Sequence, residues 1–177
     1  VDQFVNRSGK QDTMKILSES SGLEYYAFFK AINHDGGEYG LGILSRYPIV
    51  SSKTTKLYSG SEEQRVLGQA VIDVCGKQIN FFVTHMSYES QKLWDKQFEE
   101  IAKVEREHPW LKGKQIHGVA DPAIWDASRG ESIADTAMKY GVFFTPGDHE
   151  RLAGWMQCHY RLQFDSNGYA RMYVFDN

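Results

Sequence analysis

The hydrophobic pattern of this chain changes period once, near residue 87, and that change constrains the fold more than any other feature of the sequence. Before it, apolar and aromatic residues come in short β-forming runs separated by turn residues. Tyr25 to Ile32, Leu41 to Leu44 and Ile49 to Leu57 read as strands, with Asn33-His34-Asp35-Gly36-Gly37 as a turn and Pro48 as a break. Arg65 to Val74 and Gln78 to Met86 flank Cys75-Gly76-Lys77, the pattern of a tight antiparallel hairpin. A helix from Gln11 to Ser20, stopped by Gly22, precedes them. From Ser87 to Glu107 the period becomes helical: Trp94, Phe98, Ile101 and Val104 recur among charges, and Pro109 bars continuation. After Gly113 the rhythm is strand (Gln115 to Ala120), helix (Ser132 to Tyr140), strand (Val142 to Thr145), helix (Arg151 to Gln163) and strand (Tyr169 to Phe175).

Size and charge narrow the function. A chain of 177 residues with 41% hydrophobic and 24% charged residues is an ordinary globular composition with enough length to bury a core without staples. Its longest apolar runs, such as Tyr25 to Phe29, fall far short of the roughly 18 residues of a spanning helix, so no membrane partner is expected. Cys75 and Cys158 form no metal or disulfide pattern, and a reducing, cytoplasmic location is the default expectation. No signal-like segment opens the chain at Val1, which reads as a processed or truncated start, and the end after Phe175 reads as cut. Net charge is −3, and neither half is basic: residues 1–104 carry 12 Lys/Arg against 13 Asp/Glu, and residues 105–177 carry 8 against 10. That excludes a passive nucleic-acid coat but not a nuclease, which holds phosphate with bound cations and a few local arginines.

The candidate chemistry lies at strand exits. His85 follows the apolar strand Ile79 to Thr84 and is placed to exchange a proton with a phosphate oxygen, or to serve as a hydrogen-bonded structural histidine. Gly36 to Gly42 offers backbone amides and the Tyr39 hydroxyl to an anion, yet lacks both glycine-rich phosphate patterns, so an ordinary hairpin is the simpler reading. Asp121, after Ile116 to Ala120, suits Mg²⁺ as a hard oxygen ligand and equally suits a helix N-cap. His149-Glu150-Arg151-Leu152-Ala153 starts like a zinc-binding helix, but Ala153 stands where the second histidine belongs. Asp148 reads as a cap, and Glu62, Glu63 and Arg65 as a solvated turn.

Two resemblances sharpen these readings. Val1-Asp2 with Arg7, Tyr39-Gly40-Leu41-Gly42-Ile43-Leu44-Ser45-Arg46-Tyr47-Pro48-Ile49, Arg65, and Phe82-Val83-Thr84-His85-Met86 resemble segments of the endonuclease/exonuclease/phosphatase superfamily, the DNase-I-like metal-dependent phosphodiesterases. The resemblance implies that His85 is a catalytic phosphate-contacting histidine, with Tyr39 and Arg65 as supporting site residues. It also places the family's metal-ligating glutamate immediately before Val1, and the sequence shows His117-Gly118-Val119-Ala120-Asp121-Pro122 where the family has G-D-F-N. Gly147-Asp148-His149 echoes part of its S-D-H motif.

From about Glu105, Val119-Ala120-Asp121-Pro122-Ala123-Ile124-Trp125, Ser132-Ile133-Ala134, Gly141-Val142 and Asp148 to Arg151 with Gly154-Trp155 resemble the RNase-H-like nuclease domain of phage terminase large subunits. This second resemblance implies a metal-ligand role for Asp121 and a structural or DNA-facing role for Arg151.

The sequence therefore predicts an α/β protein: a β-rich first half of a DNase-I-like sandwich (residues 1–104) continued by an RNase-H-like β-α-β-α-β segment (residues 105–177), packed as one domain or two. Its expected function is Mg²⁺- or Mn²⁺-dependent phosphodiester hydrolysis, on DNA or another phosphodiester, weakened or lost because both resemblances lack metal ligands. The expected site comprises His85, Tyr39 and Asp121 for catalysis, Arg65 and Arg151 for substrate, and Asp121 and Asp148 for metal, with His85 converging on one of these carboxylates. A terminase-type nuclease fragment and a non-catalytic recombined scaffold remain alternatives. Natural fusion, faulty sequence assembly and deliberate recombination all fit the join.

Overall fold

The structure is a computed structural model that describes residues 1–148 except 115, 117 and 129. Two packed units contain these residues: residues 1–56 with 66–85, and residues 57–65 with 86–148. The sequence division at residue 105 concerns ancestry; it falls within a helix and does not coincide with this partition.

The first unit begins with strand β1 (Asp2–Gln3) and helix α1 (Thr13–Ser21). Asp12 caps α1 by accepting from the Lys15 amide at 3.0 Å, and Gly22, at φ 67°, ends it. Strands β2 (Tyr25–His34) and β3 (Gly37–Ser45) form a hairpin whose two-residue turn, Asp35-Gly36, has φ of 42° and 79°. Positive φ at both central residues matches the twist of the flanking strands, which is why Asp-Gly occurs there. The expected glycine-rich loop is largely strand: residues 37–42 lie in β3, hydrogen-bonded to β1 on one side and β2 on the other. Its amides serve the ladder rather than an anion. β4 (Ile49–Lys56), β5 (Val66–Val74) and β6 (Lys77–Thr84) make a second antiparallel sheet, with Cys75-Gly76 as an equivalent turn.

The two sheets, ordered β1-β3-β2 and β4-β5-β6, face each other over a core of Ala27 and Phe29 from β2 and Val66, Ala70 and Ile72 from β5. Period-2 alternation puts Leu41 and Ile43 on the same inner face as their partners Phe29 and Ala27. The outer face of β3 receives α1, where Met14 packs against Gly42. A side chain at Gly42 would collide with the Met14 sulfur.

The second unit is built on helix α2 (Gln91–Glu107), which buries Leu93, Gln97, Phe98, Ile101 and Ala102. It starts later than the Ser87 expected from periodicity. The preceding segment folds back on the helix instead: the Ser87 amide donates to Gln97 Oε1 at 3.0 Å, and Trp94 Nε1 donates to the Ser87 carbonyl at 2.6 Å. Strands β7 (Gly118–Ala120) and β8 (Phe144–Pro146) pair in parallel, joined through helix α3 (Ile133–Lys139). Ser132 caps α3, and Phe98 of α2 packs its ring 6.3 Å from that of Phe144. The unit thus contains the first strand, helix and strand of the expected rhythm, without showing an RNase-H-like fold. The helix expected at Arg151 to Gln163 and the strand expected at Tyr169 to Phe175 lie outside the described residues.

Phe29 is 1% exposed, and a Cβ added at Gly68 would stand 2.5 Å from its ring. Gly68→Ala is therefore expected to destabilise the chain by about 1–3 kcal/mol through overpacking, read as a lower urea midpoint. An unchanged midpoint would mean that the ring has room to move.

Candidate functional site

The levels of the strands place two candidate residues at one end of the sandwich. Phe29 pairs with Leu41, Phe29 packs on Gly68, and Gly68 pairs with Val83, so Leu41 and Val83 lie at similar height. The three-residue link Arg46-Tyr47-Pro48 carries the chain from the end of β3 to Ile49, which pairs with Ile72, so the other end of the sandwich holds the start of β3 and the end of β6. Tyr39 is two residues from Leu41 toward that end, and His85 is two residues from Val83 toward the same end. His85 is exposed, and Thr84 Oγ1 anchors the strand end before it by donating to the Val66 carbonyl at 3.0 Å.

Around Tyr39 the β1 register builds a charged cluster. Asp2 is the cross-strand partner of Tyr39, and Arg7 clamps Asp2 with two bonds: Nε to Oδ2 at 2.7 Å and Nη2 to Oδ1 at 2.6 Å. The Arg7 guanidinium carbon lies 5.6 Å from the Tyr39 ring centre, within cation–π range, and the His34 ring lies 6.1 Å away. The 3-10 turn at residues 6–8 that carries Arg7 is pinned by Asp35, whose carboxylate accepts from Asn6 Nδ2 at 3.1 Å and from the Arg7 amide at 3.0 Å. The hydrogen bond from Arg7 holds the Asp2 carboxyl below the usual carboxylate range, and the same pair raises Arg7. Asp35 is lowered too, first by Asn6 and then by the Arg7 amide.

The remaining candidates belong to the second unit. Arg65 is not part of a solvated turn: it is 7% exposed, bonded to Glu63 at 2.6 Å and paired with Glu89 at 3.5 Å. Glu62 and Glu63 are the exposed residues of that turn. Of the buried polar atoms of Arg65, Nε has no hydrogen-bond partner among the described residues. Asp121 does what an N-cap does, accepting from the Ala123 amide at 2.8 Å at the start of a 3-10 turn over Pro122–Trp125. β7 and β8 end side by side, and the Gly147 amide bonds the Ala120 carbonyl at 2.8 Å, so Asp121 and Asp148 follow adjacent strand ends by one and two residues. Arg151 and the histidine of the incomplete zinc-like pattern, His149, lie outside the described residues.

The donor chemistry for Mg²⁺ or Mn²⁺ calls for several clustered oxygens. Among the described residues no three His, Cys, Asp or Glu side chains stand close enough to share an ion. Asp121 and Asp148 alone do not make such a set. Sequence reasoning missed the assembly of Asp2, Arg7 and His34 on Tyr39. Asp2 and Arg7 were visible only as residues flanking a motif, and nothing in residue spacing reveals that Asp2 pairs across to Tyr39.

The mixed α/β architecture with a β-rich first half is consistent with a nuclease-like, exo/endonuclease/phosphatase-like fold. Residues 2–111 match the family described as the PGAP2IP C-terminal nuclease-like domain, and the chain belongs to that family. Protein cwh43 of Schizosaccharomyces pombe (strain 972 / ATCC 24843) is 28% identical over 166 residues. The alignment covers 93% of this chain but 16% of that protein.

Two outcomes follow from the geometry. A carboxyl lowered on folding stabilises the fold above its unfolded value of about 3.9 and loses that contribution as pH falls through the folded value. Asp2→Asn should therefore flatten the loss of stability below about pH 4 seen in acid denaturation monitored by circular dichroism. Equal acid limbs in parent and variant would show that the pair adds nothing on folding. For Asp121, loss of the cap in Asp121→Ala should cost about 1 kcal/mol, whereas Asp121→Asn, an equally good cap, should melt like the parent.

Proposed function

We propose that the chain is a phosphodiesterase-type domain whose substrate phosphate meets the end of the sandwich from which Tyr39 and His85 emerge. The observation that carries this reading is their shared position, derived from the Phe29–Gly68 level and the sheet registers. In this arrangement the Tyr39 hydroxyl donates a hydrogen bond to a non-bridging phosphate oxygen. The exposed His85 imidazole gives a proton to an oxygen of the phosphodiester or takes one from it. Family membership supports the reading at the level of a nuclease-like domain. The continuous match to cwh43, which runs across residue 105, supports one origin for the chain over a join of two nuclease pieces.

Metal dependence belongs to this reading as an expectation from the family. The described residues supply no three-ligand cluster, so the chemistry assigned here is confined to the proton and hydrogen-bond work of His85 and Tyr39. Asp121 enters as a helix cap, and Arg65 as a buried ion-paired residue.

Plasmid DNA and bis(p-nitrophenyl) phosphate, each with Mg²⁺, Mn²⁺ or EDTA, test the proposal. Turnover should fall about 100-fold or more in His85→Ala, the size of a general acid–base contribution. Turnover that survives His85→Ala and Tyr39→Phe, or none in the parent under any condition, would defeat the reading. Loss confined to Asp121→Ala would move the chemistry to the second unit.

A further inference from the structure

The Tyr39 ring is held by something the catalytic reading does not use. Arg7 is not free to wander: two of its nitrogens are bonded to both oxygens of Asp2, which fixes the guanidinium plane as well as its place. Its backbone is fixed separately, because the Arg7 amide donates to Asp35 in the turn that joins β2 to β3. The carboxylate it clamps sits on the residue paired with Tyr39, so clamp and ring share one register position. Asp2 is largely covered, at 16% side-chain exposure, while Arg7 is 55% exposed, so the guanidinium forms the outer wall of the cluster.

We propose that Arg7, clamped by Asp2 and laid over the Tyr39 ring, is a positioning residue that fixes where the Tyr39 hydroxyl meets a phosphate oxygen. The proposal rests on the phosphodiesterase reading for its consequence, but the contact itself does not. A phenol that swings through even an ångström makes a poor donor to a developing charge, and the His34 ring, 6.1 Å away, leaves the side of the Tyr39 ring that faces Arg7 to be confined. Arg7 supplies that neighbour. Lysine would keep the charge but lose the planar fork and the stacking face.

A double-variant cycle with a conservative control separates positioning from general damage to the fold. With bis(p-nitrophenyl) phosphate, Arg7→Ala and Tyr39→Phe should each lower kcat about tenfold and leave KM within about twofold, with no further loss in the double variant. Arg7→Lys should recover thermal stability but not kcat. Losses that multiply in the double variant, or a kcat restored by Arg7→Lys, would overturn the proposal.

A second readout does not depend on turnover. In the full chain labelled with 3-fluorotyrosine, the fluorine resonance assigned to position 39 by its absence in Tyr39→Phe should move in Arg7→Ala and stay in Arg106→Ala, which changes an arginine in the last turn of α2. Inorganic phosphate should shift that resonance in the parent and do so less in Arg7→Ala. An unmoved resonance in Arg7→Ala would overturn the proposal even in an active enzyme. A resonance that responds to Arg7 but not to phosphate, in a chain without turnover, would uphold the contact and remove the phosphodiesterase reading instead.

Discussion

One ring against one bare backbone organises the first unit. Phe29 reaches across the sandwich onto Gly68, where any side chain would collide with it, and the contact sets the height of one sheet against the other. Because strand registers are fixed in two-residue steps by which face is buried, that single level propagates along every paired strand. It lifts Leu41 and Val83 to the same layer and so sends Tyr39 and His85 out of the same end. The shared position of the two residues on which the proposed chemistry rests is therefore a consequence of core packing, not of local loop structure.

How much of this could be read beforehand depended on the range of the interaction. Elements governed by local chemistry were legible: the Asp35-Gly36 and Cys75-Gly76 turns, the stop at Gly22, the helix start at Ser132 and the period change near residue 87 all act within a few residues. The start of α2 was misplaced because the Ser87 segment answers to the buried side chain of Gln97, ten positions away, instead of to its own periodicity. Residues 37–40 looked like a loop because glycine has weak strand propensity. They are strand because neighbouring backbone leaves no space for a Cβ at Gly37 and Gly40. Arg65 looked solvated because its charged neighbours in sequence are exposed; its partner Glu89 lies far along the chain. His85 was a candidate from its place at a strand exit and Tyr39 from its glycine-rich surroundings, and motif resemblance joined them, but their common position requires the cross-sheet level that no sequence pattern encodes.

In the second unit a buried amide does the work that Phe29 does in the first. Gln97 is fully buried, and its Oε1 accepts from the Ser87 amide while its Nε2 donates to the Tyr58 carbonyl and to Ser87 Oγ, both at 2.8 Å. An unsatisfied amide in that place would be costly, so the two segments 57–65 and 86–90 are obliged to meet around it. The Tyr58 amide adds a bond to Glu100, and Ser59 Oγ accepts from the Arg65 amide. The result is a polar clasp around α2 that explains why Arg65 is buried beside two carboxylates without requiring a ligand to hold it there.

Charge balance then decides what kind of cluster surrounds Tyr39. In a chain of net charge −3, long-range attraction of a phosphodiester would need an excess of local cations. At the β2–β3 end the cations are matched instead: Arg7 by Asp2, and Lys30 by Glu38 at 2.5 Å. A matched pair projects little field but has well-defined geometry, because each partner removes the other's freedom to reorient. Asp35, whose own carboxylate is spent on Asn6 and on the Arg7 amide, completes a frame that fixes direction and adds no net positive charge. Such a frame suits orientation of a substrate already at hand far better than its capture from solution. Arg7 and Arg65 differ in the same respect: both are ion-paired arginines, but of the two it is Arg7 whose guanidinium lies over an aromatic ring, so there pairing translates into the placement of a hydroxyl.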